Sequence, residues 1–409
     1  MRYRGLDMNK LKLTSNLIEF EQQLLNPNSE FHVNNLNMKN DGIKRLKKNY
    51  VLSFVSDPSG CGHIRNVFPM SYLNAQFGKT GKFNLILSPI PTFEPEILLK
   101  SRTLFFQRWM APERLEIVRR YKTIQQKLKY RMVFDIDDFI WKGDEEGEYI
   151  PEYNFGSDGI DDNTRKSCVE IMKLMDIVCV STEFLKEYIG NKLGVKNEII
   201  VLPNAIPKFF WGDSKKNPIS EKIKFPKVIY TESPTHYHNP KRLKGDWNNE
   251  WVEWVIKNVK DKKIQFVCMG GLPFFFESIK NCENFKIINW INSFQYHLAV
   301  KSENADFGIA PLVPNFFNYS KSDLKHIEYC AGGILSIGTV FRNGKSSPYD
   351  NNIVKTYEDI TVEEIDEIFN QYTEPDQYND VIQKQYDMLD KNGRWLESPQ
   401  YVKRLLQIF

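Results

Sequence analysis

The chain has 409 residues, 41% hydrophobic and 26% charged, the proportions of an ordinary globular protein long enough for two or three domains with large cores. A formal charge of +3 is too small to mark a nucleic-acid binder by itself, and no run of about 18 apolar residues is present to cross a membrane. Six cysteines (Cys61, Cys168, Cys179, Cys268, Cys282, Cys330) lie scattered in apolar segments without a C-x-x-C pair, which indicates neither zinc nor a disulfide framework. The opening MRYRGLDMNKLKLTSN lacks the apolar centre of a secretory signal, so the expected compartment is the cytoplasm.

Residues 1–48 are polar, with room for an amphipathic helix around Leu17 to Leu25, and end in the basic cluster Lys44, Arg45, Lys47, Lys48. That cluster either precedes a strand or contacts phosphate. Asn49 to Val55 (NYVLSFV) is the first confident strand. It runs into SGCGHIR, where Gly60 and Gly62 would let a ligand approach the backbone and where His63 and Arg65 open a helix beside the expected cleft. The GCG match to G-x-G-x-x-G is partial, since the third glycine would fall on Arg65. Phe83 to Leu87 and Thr103 to Phe106 read as parallel strands, and Pro112 suits the first position of a helix reaching Lys129.

Met132 to Ile136 is the next strand, and Asp135, Asp137 and Asp138 cluster at its carboxyl end. Such carboxylates bind a metal or brace a loop and substrate; with no evident source of further oxygen ligands, the reading without metal is preferred. Residues 142–163 form a long acidic loop expected to cover the cleft. Arg165 to Met175 is a predicted helix, Ile177 to Val180 a buried strand, and Ser181 and Thr182 cap the next helix. Ile199 to Leu202 ends the series, and residues 203–226, rich in Pro, Lys and Ser, mark a hinge.

Lys227 to Thr231 opens a second alternating series. Its loop carries His236, His238, Lys241, Arg242 and Lys244, a set better suited to phosphate than to metal because no third ligand is near the two histidines. Later strands are expected at Ile264 to Met269, Phe285 to Ile288 and Asp306 to Ala310. The stretch NYSKSDLKHIEYCAGGILSIG follows, with Ser320 a candidate N-cap, a helix from Lys321 to Ala331, a stop at Gly332-Gly333 and a strand from Ile334. On one face of that helix, Lys321, Lys325 and Glu328 suit a diphosphate and a ribose diol; the competing reading is a solvated face with a Lys325–Glu328 salt bridge. The alternation of strands and helices in both halves predicts an α/β chain of two doubly wound, Rossmann-like sheets facing across a cleft.

The glycine loop SGCGHIR, the strand FDIDD, the hinge after VLPNAI and the segment NYSKSDLKHIEYCAGG together resemble the GT-B glycosyltransferases, in particular retaining enzymes of glycosyltransferase family four, over about residues 49 to 390. The resemblance implies a polar extension at 1–48, an acceptor-side domain at 49–205, a hinge at 206–226, a donor-binding domain at 227–375 and a helical tract at 376–409 packing back on the first domain. It implies a nucleotide-diphosphate sugar as co-substrate, a UDP-sugar foremost, and no tightly bound cofactor or metal. Glu328 matches the second of the family's two glutamates, which binds the donor ribose, whereas the first falls on Ser320, a departure. Arg242 or Lys244 with Lys321 or Lys325 would hold the diphosphate. Gly60, Gly62 and Arg65 would border the donor, and His63, Asp137 and Asp138 would be the catalytic groups facing sugar and acceptor.

FQRWMAPERL, FDIDDFIW and IPEYNFGS are similar to glycosyltransferases of tailed bacteriophages. That similarity implies a hydroxymethylated cytosine in duplex DNA as acceptor, with a surface or lipid-linked glycan as the alternative. Cations on the Pro112 helix (Arg114, Arg119, Arg120, Lys122, Lys127, Lys129) would then contact phosphates, and the aromatic-rich loop Trp141 to Phe155 would stack on a flipped base. A hydrolase or epimerase of nucleotide sugars and a non-catalytic nucleotide-sugar-binding protein are the other classes.

Overall fold

The computed structural model describes residues 50–56, 60–80, 83–88, 95–141, 160–212, 217–233, 245–342 and 344–409. Residues 1–48, all but the last four residues of the acidic loop expected at 142–163, and the loop bearing His236, His238, Lys241, Arg242 and Lys244 lie outside these residues.

In the first half, β1 (Tyr50–Val55) leads through a helical turn (Gly60–Gly62) and a wide turn (His63–Val67) into α1 (Phe68–Phe77). Then come β2 (Asn84–Ser88), α2 (Pro95–Lys100), β3 (Ser101–Gln107), α3 (Pro112–Leu128), β4 (Arg131–Ile136), α4 (Asp162–Leu174), β5 (Ile177–Val180), α5 (Glu183–Glu187) and β6 (Glu198–Val201). All six strands are parallel in the order β2-β1-β3-β4-β5-β6. The apolar runs of the inner strands β1, β3, β4 and β5 are buried because helices cover both faces of such a sheet, while the edge strands β2 and β6 are only partly covered. The α4 helix starts before the expected Arg165 because the Asp161 side chain accepts from the Thr164 amide at 2.6 Å. The short α2 went unread: its six residues carry too little periodicity to be seen.

A connector bearing α6 (Lys208–Trp211) leads to β7 (Lys227–Thr231), α7 (Asn249–Lys260), β8 (Gln265–Met269), β9 (Phe285–Ile288), α8 (Tyr296–Glu303) and β10 (Phe307–Ala310). Two helices, α9 (Phe316–Ser320) and α10 (Leu324–Ala331), precede β11 (Leu335–Val340) and β12 (Val354–Tyr357). The second sheet is again parallel, ordered β12-β11-β10-β7-β8-β9.

Three helices finish the chain: α11 (Val362–Tyr372), α12 (Pro375–Lys391) and α13 (Pro399–Ile408). Gln385 of α12 bonds the backbone of Ser336 in the second sheet, whereas Phe409, after α13, packs on Phe83 and Phe105 of the first. Arg102 donates to the Phe409 carbonyl at 3.0 Å. Thus the end of the chain staples one sheet to the other.

The expected helix from Lys321 is the main local correction. Asn315 caps α9 by accepting from the Asn318 amide at 2.8 Å, and Ser320 Oγ donates back to the Phe317 carbonyl at 2.8 Å. Ser320 therefore ends one helix, Lys321 to Asp323 form a break, and only Lys325 and Glu328 share the helix α10. Its stop is at the two glycines, with Gly333 at φ +69°. Gly308 lets α10 pack close to β10, since a Cβ there would lie 2.5 Å from the Tyr329 ring.

Candidate active site

In a parallel sheet, ligands sit where strand order reverses, outside the carboxyl ends. The order of the first sheet reverses between β1 and β3, and that of the second between β7 and β10. Both reversals open on one cavity of about 790 Å³. Ser56 and Gly60 after β1 and Arg108 after β3 line one wall; Thr231 and Glu232 after β7, with Phe317 and Lys321 beyond β10, line the other. The Gln107 side chain accepts from the Ser56 amide at 3.1 Å, tying the first pair of strand ends together.

On the first wall the predicted residues separate. Gly60 lines the cavity, but Gly62 is buried with helical φ −61°, so no left-handed glycine loop forms here. Arg65 is a second correction: it is 1% exposed and directed into the protein. Its Nη2 meets Asp135 Oδ1 at 2.6 Å and its Nε meets Oδ2 at 3.2 Å, while Nη1 donates to Asn204 Oδ1 at 3.0 Å and to the Leu202 carbonyl. Burial opposes the guanidinium charge, but Asp135 outweighs it and holds Arg65 above its ordinary pKa. Arg65 is a structural clamp between β4 and the segment after β6. His63 is not part of the cavity wall; its ring meets Phe68 at 5.4 Å and Phe294 edge-on at 5.1 Å.

Asp137 and Asp138 do line the cavity, and Arg108, which the sequence reading missed, holds them. Its guanidinium lies 3.0 Å from Asp138 and 3.9 Å from Asp137. The Arg108 backbone is left-handed at φ +52°, an uncommon state for a residue with a side chain. Asp137 is 7% exposed, and its Oδ1 has no hydrogen-bond partner among the described residues. Cys61, Asp137 and Asp138 bring ligand-type atoms within 4.8 Å of one another, but the guanidinium already supplies the countercharge a metal would bring.

On the second wall, Lys321, Lys325 and Glu328 converge although they do not share one helix. Lys321 Nζ lies 2.7 Å from Asp246 Oδ2 and 5.0 Å from the Phe317 ring. Lys325 pairs with Glu232 and lies 5.6 Å from the Tyr230 ring. Glu328 accepts from the Tyr296 hydroxyl at 3.0 Å. Burial pulls Lys325 down to about 7 and pushes Glu328 up to about 7, because a low-dielectric wall disfavours both charged forms. The competing reading, a solvated face with a Lys325–Glu328 salt bridge, does not hold: both residues line the cavity, Lys325 pairing with Glu232 and Glu328 with Tyr296.

Glu232, Asp246 and Tyr296 were also missed. Glu232 and Arg108 each directly follow a strand beside an order reversal, a signal that strand order would have supplied. Asp246 follows Gly245, far from the lysine it touches in three dimensions, and carries no local signal.

No protein-family model matches the chain, and no curated protein matches it in sequence. Among solved structures, Anabaena HepE in complex with UDP-glucose aligns with a TM-score of 0.53 and 10% identity, over 88% of this chain and 98% of that one. The same protein in complex with UDP aligns with a TM-score of 0.53 and 9% identity over the same shares, 88% and 98%. At such identity the likeness is one of fold: two Rossmann-like parallel sheets opening on a common cleft, the GT-B architecture.

Proposed function

We propose that this chain is a glycosyltransferase that moves a sugar from a nucleotide-diphosphate sugar to an acceptor hydroxyl. The observation that carries the reading is the meeting of both strand-order reversals in one cavity, with Lys321, Lys325 and Glu328 on the donor wall. The HepE complexes with UDP-glucose and UDP support a UDP-sugar as donor. In this reading Glu328 accepts from a ribose hydroxyl, and Lys321 or Lys325 holds the diphosphate together with Arg242 or Lys244, as the family resemblance implies.

The chemistry asks little covalent work of the protein. The bond from the anomeric carbon to the diphosphate oxygen breaks, and fixed cations stabilise the charge gathering on the leaving diphosphate. The acceptor oxygen bonds to that carbon and passes its proton to the departing diphosphate oxygen; retention, as the family resemblance implies, places this on the leaving-group face. Asp137, backed by Arg108 and Asp138, orients the acceptor hydroxyl.

For the acceptor we favour a carbohydrate hydroxyl over hydroxymethylated cytosine in duplex DNA. On α3, Arg119 and Arg120 pair with Glu116, Lys122 pairs with Asp176, and Arg114 covers Trp109. Arg119 and Arg120 share one carboxylate, and Lys127 and Lys129 add to them, so the helix stays net basic; what disfavours a phosphate backbone is the cavity itself, lined by Asp137, Asp138, Glu232 and Glu328. The DNA acceptor rests on the resemblance and on the net-basic α3 helix. The test is a mass-spectrometric donor screen with oligosaccharides and hydroxymethylcytosine DNA as parallel acceptors. Transfer from a UDP-sugar to a glycan is expected; free sugar or an epimer without transfer would point to another class.

A further inference from the structure

We infer that Asp246 is a positioning residue for the donor diphosphate, holding the Lys321 ammonium on the cavity wall; the inference rests on the donor reading above. Asp246 follows Gly245, three residues ahead of Asn249 at the start of α7, and is fully buried. A buried carboxylate is unfavourable unless paired and hydrogen-bonded, and an apolar pair of similar volume is often as stable. Stability alone therefore does not account for it.

Its geometry does. Asp246 Oδ1 accepts from Asn318 Nδ2 at 2.8 Å, and Oδ2 accepts from Lys321 Nζ at 2.7 Å. Asn318 is itself fixed, since its amide nitrogen Nδ2 also donates to the Val313 carbonyl at 2.8 Å and its backbone N–H donates to Asn315 at 2.8 Å. The carboxylate thus joins the entry to α7 to the end of α9 through a rigid frame.

Lys321 needs such a partner because no helix directs it. It lies in the break between α9 and α10 with extended backbone angles, φ −59° and ψ 149°. It also borders two cavities, the donor cavity and a second of about 650 Å³, and Ser322 beside it lines both. A lysine stem with four rotatable carbons can turn toward either. Phe317, which lines the donor cavity and whose ring lies 5.0 Å from the Lys321 ammonium, marks the side on which Asp246 holds it. A cation ordered before the ligand arrives avoids losing that freedom on binding.

The experiment is calorimetric titration of the full chain with UDP and, separately, uridine, on wild type, Asp246→Ala, Asp246→Asn, Lys321→Ala and the double variants. Asp246→Ala is expected to weaken UDP by about tenfold or more while leaving uridine within about twofold, because only the diphosphate meets Lys321. Asp246→Asn keeps one accepting oxygen but loses the countercharge and turns its NH2 toward the second donor, so it is expected to weaken UDP by about three- to fivefold, less than Asp246→Ala. In the Lys321→Ala background neither substitution should cost anything further, the non-additivity of a residue acting through another. A merely structural aspartate would lower UDP and uridine affinity together, and an independent one would add to Lys321→Ala; either result overturns the inference. If Asp246→Ala does not fold, the Asn cycle decides: equal UDP losses with and without Lys321 overturn it. Wild type that binds neither UDP nor uridine overturns the donor reading and this inference with it. Wild type that binds UDP, with Asp246→Ala unaffected, overturns the inference alone.

Discussion

Arg65 and Lys325 occupy comparable places in the two sheets, each near the start of a helix beside a strand-order reversal, yet they do opposite work. Arg65 is sealed inside, with Asp135, Asn204 and a carbonyl taking its donors. Lys325 stands on the cavity wall against a single paired carboxylate, Glu232. A buried guanidinium is kept where planar, multidentate geometry can satisfy it, whereas a lysine that loses part of its charge preference at a cavity remains available to a ligand. Sequence position near a loop does not separate the two cases; the cation type and its partners do.

The largest expected effect is on the structural side. Arg65→Ala would leave the Asp135 carboxylate buried without its partner, and chemical denaturation should show a loss of about 3–5 kcal/mol. Adding Asp135→Leu to Arg65→Met should recover part of it, since the uncompensated charge disappears. If Arg65→Ala instead kept wild-type stability and lost donor binding, the comparison would be inverted.

On the cavity side, Lys321→Ala and Lys325→Ala should each weaken the donor by about 1–3 kcal/mol, the range for a charge-assisted contact; Lys321→Ala should also lower Tm, because it leaves the buried Asp246 carboxylate with Asn318 but without its cation. Glu328→Ala should act on nucleoside binding. Wild-type donor affinity in all three would reduce the wall to a structural charge network.

A pH series sharpens the same contrast. Glu328 has a folded-state pKa of about 7, above its ordinary 4.5, so the folded chain binds more protons there and stability falls as pH rises from about 4.5 to 7. Lys325, at about 7 against 10.5, binds fewer protons when folded, so its contribution improves from about pH 7 to 10.5. Glu328→Gln should therefore flatten the acid limb of a Tm-against-pH curve and Lys325→Met the alkaline limb. Unchanged limbs would mean that these groups titrate as exposed ones do.

The smallest effect on stability is expected at Gly60, where an added Cβ would meet nothing within 4 Å. Gly60→Ala should shift stability by no more than about 0.5 kcal/mol. Because Gly60 lines the cavity, a fall in kcat/KM with unchanged Tm would show that substrate approaches this backbone closely.

Alternating apolar strands and amphipathic helices are local properties, and they were enough to read two doubly wound sheets from the sequence. The stop at Gly332-Gly333 and the positions of β1, β4, β7 and β10 followed from the same local signals. The start of α10 did not, because Asn315 and Ser320 can each begin or end a helix and only the packing of Phe316 and Phe317 chooses between them. The site divides in the same way. Glu328 and Lys325 were legible from helical spacing, and Asp137 and Asp138 from their place after a strand. Arg65 turning inward, Arg108 gathering two aspartates, and Asp246 meeting Lys321 across 75 residues of sequence are contacts between distant segments. Local residue order carries no record of such contacts; they arise only when the sheets are stacked and buried charges must find partners.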